Sequence, residues 1–67
     1  MIYCVIKSNG VTYVQNQTES MQTIKTLRQI LKSGKYHITE GTNEDGYYEY
    51  YVEETGEHVI IMEDDSI

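Results

Sequence analysis

Few groups in this chain could do chemistry: one thiol, Cys4; two imidazoles, His37 and His58; and eleven carboxylates. A nucleophilic cysteine needs a cation or base close by to lower its pKa. Cys4 stands instead in the apolar run Ile2–Ile6 with no such chain neighbour, so it reads as a structural thiol in the core. His37 and His58 with a carboxylate could bind a transition metal only if the two segments that carry them were adjacent. His58 reads more simply as the cross-strand ion-pair partner of Glu53. Glu63, Asp64 and Asp65 offer oxygens to calcium but lack the glycine turn and ligand spacing of a dedicated loop. No glycine-rich phosphate loop, nucleophile elbow or zinc spacing occurs. The expectation is a protein without metal, cofactor or catalysis, since so short a chain has little room to enclose a substrate.

Charge is the more informative property. The formal net charge is −6, and it is unevenly distributed. Residues 1–35 hold all five bases (Lys7, Lys25, Arg28, Lys32, Lys35) against the single acid Glu19, a formal +4. Residues 36–67 hold the other ten acids and no Lys or Arg, a formal −10. An acidic half of this kind repels phosphates, which argues against direct nucleic-acid binding. It attracts basic protein surfaces, or serves only solubility.

The elements that position these groups follow from periodicity. "IYCVIK" (2–7) and "VTYVQ" (11–15) are β-branched runs separated by Asn9-Gly10, the preferred pair for a type I′ hairpin turn. A two-residue loop there puts Lys7 opposite Thr12, Ile6 opposite Tyr13 and Val5 opposite Val14. Apolar residues on both faces of the first strand predict a strand covered on two sides. Met21, Ile24, Leu27, Ile30 and Leu31 form a helical stripe over about 20–33, capped by Thr18 or Ser20, with Lys32 in the last turn and Gly34 as the stop. Three more strands are expected: 35–40, 47–54 and 57–63, with a polar loop from Gly41 to Gly46 and a hairpin turn at Thr55-Gly56. Residues 63–67 end the chain as an acidic tail. The fold class is therefore α+β: one domain over 1–67, ββαβββ order, a mostly antiparallel sheet and one helix on one face.

The stretch "DGYYEYYVEE" (45–54) carries four tyrosines and three glutamates. With strand alternation, Tyr48, Tyr50 and Val52 share one face, and Tyr47, Glu49, Tyr51 and Glu53 share the other. A Thr55-Gly56 turn would set Val52 opposite Val59, Tyr50 opposite Ile61, Tyr51 opposite Ile60 and Glu53 opposite His58. The first set then lies under the helix. The second mixes rings and carboxylates, too charged for a core and too apolar for an idle surface. Tyrosines also suit strands for packing reasons alone, but rings rimmed by acids fit an interface to a basic partner, because tyrosine brings contact area with few rotors.

The lone cysteine points to a reducing compartment, and no N-terminal run is apolar and long enough for a signal peptide or a span, so a cytoplasmic protein is expected. In size, charge and tyrosine–carboxylate strands the chain resembles small acidic proteins of bacteriophages and mobile elements that bind and block host nucleases, a likeness of composition rather than of motif. The function this implies is a non-enzymatic inhibitor or modulator that occupies a basic protein surface, such as a nucleic-acid-binding site, by nucleic-acid mimicry. The partner-binding residues would be Tyr47, Glu49, Tyr51, Glu53, Glu54, Glu57, Glu40, Glu44 and Asp45. The competing reading is a homo-oligomeric module that self-associates through the Tyr47/Tyr51/Ile60/Met62 face. Monomer and homodimer both remain open, with Cys4 not bridging chains.

Overall fold

A computed structural model of the chain describes residues 1–63. The elements run β1 (Ile2–Ser8), β2 (Val11–Val14), α1 (Gln17–Ser33), β3 (Ile38–Thr42), β4 (Tyr48–Val52) and β5 (Glu57–Glu63). The strands form one antiparallel sheet in the order β2-β1-β5-β4-β3. This is the expected α+β fold with one helix against one face. β5, last in sequence, is third in space, where it joins the β1–β2 hairpin to the β3–β4 hairpin.

The first hairpin forms as its turn dictates. Asn9 and Gly10 both have positive φ, 52° and 78°, and the register is Lys7–Thr12, Ile6–Tyr13, Val5–Val14. After Val14 the chain leaves the sheet: Gln15 N–H still donates to Cys4 C=O (2.9 Å), and Asn16 then starts the helix. The cap is neither Thr18 nor Ser20. Asn16 Oδ1 accepts from Glu19 N–H (2.8 Å) while Glu19 Oε1 accepts from Asn16 N–H (3.3 Å), a reciprocal capping box. Gly34, at φ 67°, ends the helix as expected.

That shift of the cap frees Ser20 for another task. Ser20 is fully buried, and its hydroxyl accepts from Cys4 N–H (2.7 Å) and donates to Asn16 C=O (2.7 Å). Cys4 sits on β1 beside the point where β2 ends, so a side chain from the helix supplies the acceptor that a longer β2 would have supplied. Cys4 is itself fully buried, its thiol 3.8 Å from Ser20 C=O. Burial pushes its pKa up, partly offset by the Ser20 side-chain hydroxyl. The thiol thus lies in the core, as the sequence suggests.

The core consists of Cys4, Ile6 and Val59 with Ile24 and Ile61 against them, and Leu27 and Val52 buried further along. All the strand members face α1. The stripe on α1 is narrower than its spacing suggests: Leu27 is 5% exposed, but Met21, about 120° round the helix from it, is half-exposed, and Leu31 is exposed as well. Nor, among the described residues, is β1 covered on two sides. Its second face, with Tyr3 and Val5, is half-buried by neighbouring side chains of the sheet and not by another element. Between the C-terminal half of α1 and the sheet runs a cleft of about 280 Å³, lined by Leu27, Ile30, Tyr36, Val52 and Val59 among others.

Two strands are displaced from their expected bounds. β3 spans Ile38–Thr42 rather than 35–40, because its partner β4 ends at Val52, opposite Ile38. β4 spans Tyr48–Val52 rather than 47–54, because Glu53–Gly56 form a four-residue turn closed by Gly56 N–H to Val52 C=O (2.8 Å). Gly56 has φ 73° and Thr55 does not have positive φ. A two-residue type I′ loop at Thr55-Gly56 would have required both, and a β-branched residue resists that conformation. The β4–β5 register is consequently Val52–Glu57, Tyr51–His58, Tyr50–Val59, Glu49–Ile60 and Tyr48–Ile61. It differs by two residues from the expected one, so every side chain still paired keeps its expected face but changes its partner. Glu63 belongs to β5, paired with Ile2, and not to a tail. The expected tail over 64–67, and with it the weak calcium reading of Asp64 and Asp65, lies outside the described residues.

Candidate acidic interface

The candidate residues are gathered around the β3–β4 hairpin but not on a single face. Glu49, Tyr51 and His58 share the helix-free face with Val5 and Ile60, since Glu49 pairs with Ile60 and Tyr51 with His58. His58 Nε2–H donates to Glu49 Oε2 (3.0 Å), and the His58 ring meets Tyr51 edge-on at 6.4 Å between centroids. The partner of His58 is therefore Glu49 and not Glu53, a consequence of the two-residue change of register. Glu53 lies past the end of β4, exposed in the turn, with its N–H donating to His37 C=O (2.9 Å). Glu40, opposite Tyr50, and Glu57, opposite Val52, stand on the helix side.

The β3–β4 loop is organised by Asn43, which the sequence reading overlooked. Its Oδ1 accepts from Asp45 N–H (3.0 Å) and Tyr47 N–H (2.9 Å), its N–H donates to Tyr47 C=O (2.9 Å), and its C=O accepts from Gly46 N–H (3.0 Å). An Asn opening a loop that closes on Gly46 is a recognisable turn signal. These bonds fix Tyr47 just ahead of β4, half-buried, and leave Glu44 and Asp45 exposed at the loop tip. A groove on the helix-free side is then lined by Glu44, Asp45, Glu49, Lys7, His58 and Ile60 among others.

At the other end of the hairpin, Glu54 anchors the start of β3. His37 backbone N–H donates to both carboxylate oxygens of Glu54 (2.7 and 2.8 Å), and His37 Nδ1 lies 3.2 Å from Oε1. Donation from that backbone amide, more than the ring, holds the Glu54 carboxyl below its ordinary 4.5. A carboxyl whose pKa is lowered by folding adds stability above its unfolded value and loses it as pH falls. Glu54→Gln is expected to melt below the wild type near about pH 7, with the difference in Tm closing as pH approaches about 3. A difference that is constant with pH would show that the anchor does not depend on the charge.

His37 and His58 are not brought together, because β4 lies between β3 and β5. His37, Glu53 and Glu54 do place one ligand atom each within 4.8 Å of one another, all at the surface. This trio is the nearest approach to a cation site among the described residues. Its Glu54 is already committed to the His37 amide, so a cation there would compete with that anchor.

The face considered for self-association is less open than its composition implies. Ile60 is only 8% exposed, Tyr47 and Met62 are half-buried, and Tyr51 alone of the four is substantially exposed, at 43%. Among the described residues no helix is long and apolar enough to cross a membrane. No protein-family model, curated protein or solved structure matches the chain.

Proposed function

We propose that this protein is a non-enzymatic binding module whose β3–β4 hairpin docks on a basic protein surface, with its carboxylates standing in for nucleic-acid phosphates. The supporting observation is the groove in which Glu44, Asp45 and Glu49 line the helix-free side next to the exposed ring of Tyr51. The two acidic turns, Glu44-Asp45 and Glu53-Glu54, are separated by the length of β4, roughly 17 Å for five residues. Charge is thus spread along an edge rather than massed at a point, which suits a row of Lys and Arg built to follow a phosphate backbone. Residues 36–67, which supply these carboxylates, carry no Lys or Arg, and Lys7 of β1 is the one Lys or Arg that lines the groove. Self-association through the Tyr47/Tyr51/Ile60/Met62 face has less support, since Ile60 offers little further area to bury.

The test begins with proteins captured from a host lysate on the immobilised chain, followed by kinetics on the captured species. Affinity is expected to fall at least about tenfold between low and moderate salt, because the charges are exposed. Glu44→Gln with Asp45→Asn should act mainly by slowing association. Tyr51→Ala should act mainly by speeding dissociation, because a ring at a contact holds the complex together. Duplex DNA or RNA should compete for the captured protein. A captured partner whose binding ignores salt and nucleic acid would refute the mimicry.

A further inference from the structure

We propose that β2 is an assembly edge for a second copy of this chain, pairing antiparallel with its own counterpart to give a continuous ten-stranded sheet. This does not rest on the acidic docking surface, whose carboxylates come from the β3–β4 hairpin on the other side of the sheet.

The backbone supplies the first argument. Gln15 N–H bonds to Cys4 C=O, and the register pairs Val14 with Val5, Tyr13 with Ile6, Thr12 with Lys7 and Val11 with Ser8. In an antiparallel ladder, hydrogen-bonded and non-bonded pairs alternate. Val11, Tyr13 and Gln15 therefore bond inward to β1, and Thr12 and Val14 direct their N–H and C=O groups outward. A dyad at Tyr13 pairs Thr12 of one copy with Val14 of the other, and the reverse. All four outward groups of each copy are then satisfied in four reciprocal hydrogen bonds. A two-residue display symmetric about its middle residue fits its own copy without a change of register.

The side chains supply the second. Val11, Tyr13 and Val14 are 60%, 48% and 65% exposed, and β2 carries no charge, proline or bulge, the usual devices that protect an edge. The other edge is protected: β3 contains Glu40 and leads into the Glu44-Asp45 loop. Of the two edges of the described sheet, one is guarded by like charge and the other is bare.

Charge placement tolerates a copy of the chain at β2 and not at β3. At about 4.8 Å per strand, β2–β2 pairing sets the two β4 strands seven spacings apart, roughly 34 Å, far beyond a Debye length of about 8 Å. Pairing through β3 would bring them within three spacings, roughly 14 Å, with the acidic loops close to the seam. The nearest like charges on the sheet in the β2 arrangement are the two Lys7 residues, also roughly 14 Å apart and screened. The halves that approach are net basic, so this association should hold or tighten as salt rises, opposite to the docking proposed above.

So short a seam belongs to the weak class of interfaces, with dissociation constants of about 0.1–1 mM. The experiment is sedimentation equilibrium of the whole chain across that concentration range, with amide spectra of the same samples. Dimers are expected, with the Thr12 and Val14 amides shifting most with concentration and becoming protected from exchange. Val14→Pro removes an outward N–H and no bond to β1, as proline is tolerated at an edge position of this kind. It should abolish the dimer and leave the monomer folded. Thr12→Lys, which adds charge without touching the backbone, should do the same if the proline variant fails to fold. A wild-type chain that stays monomeric at 1 mM, dimers that survive both variants, or concentration shifts centred elsewhere would each overturn the proposal.

Discussion

Leu27→Ala is expected to destabilise the protein by about 2–4 kcal/mol, toward the lower part of the range for buried leucines. Leu27 is 5% exposed at the centre of the face that α1 turns to the sheet, and it lines the cleft shared with Val52 and Val59. Truncation removes the apolar area that Leu27 buries and enlarges a cleft that water can already enter, so less dry cavity is created than in a closed core. A 67-residue chain has little stability to lose, and the variant should be partly unfolded at 37 °C. Denaturant titration by far-UV circular dichroism measures the change. A midpoint equal to wild type would mean that α1 does not use this face.

Ser20→Ala should cost about 1–3 kcal/mol, a large effect for the loss of one oxygen. The alanine gains a little in helix propensity, but Cys4 N–H loses its acceptor in a fully buried place. Ser20→Thr retains an oxygen but adds a methyl at a fully buried site, so it should recover only part of the loss. The two variants separate hydrogen bonding from packing. If alanine is neutral, the ladder group at Cys4 finds another partner, and the Ser20 contact is incidental. Amide exchange at Cys4 is the direct reading, and it should accelerate in Ser20→Ala more than at neighbouring core amides.

The parts of this fold that were legible in the sequence are those set by local rules. Asn9-Gly10 determines the first hairpin and its register, and the spacing of Ile24, Leu27 and Ile30 determines the helix face. The Asn16-x-x-Glu19 capping box was also present in the sequence, but Thr18 and Ser20 compete with it as N-cap types. Only tertiary contact decides that Ser20 is needed inside. Thr55-Gly56 misleads because a glycine suggests a tight turn, whereas the residue before it cannot adopt positive φ. The true turn is longer, and His58 acquires Glu49 as its partner. Of the candidate site, the acidity of the β3–β4 hairpin was legible. The division of its carboxylates between two faces was not, because it depends on where β4 gives way to the Glu53–Gly56 turn and on Asn43 shaping the loop. The exposure of β2 was not legible either, since a short β-branched strand reads the same at an edge as inside a sheet. Strand order, a non-local property, decides between them.

The insertion of β5 between β1 and β4 has a kinetic consequence. Ile2 pairs with Glu63, so the seam that unites the two hairpins joins the most distant parts of the described chain. Contacts of such separation are costly to close and slow folding relative to local ones. During synthesis, β1, β2 and α1 emerge first, then the β3–β4 hairpin, and the two hairpins cannot join into one sheet before β5 has left the ribosome. Until then β1 and β4 each present a second open edge, and Ile6 has no Val59 beside it. The nascent chain therefore passes through a state with twice as many unpaired sheet edges as the finished protein, and its folding is completed by the last described strand rather than nucleated by the first.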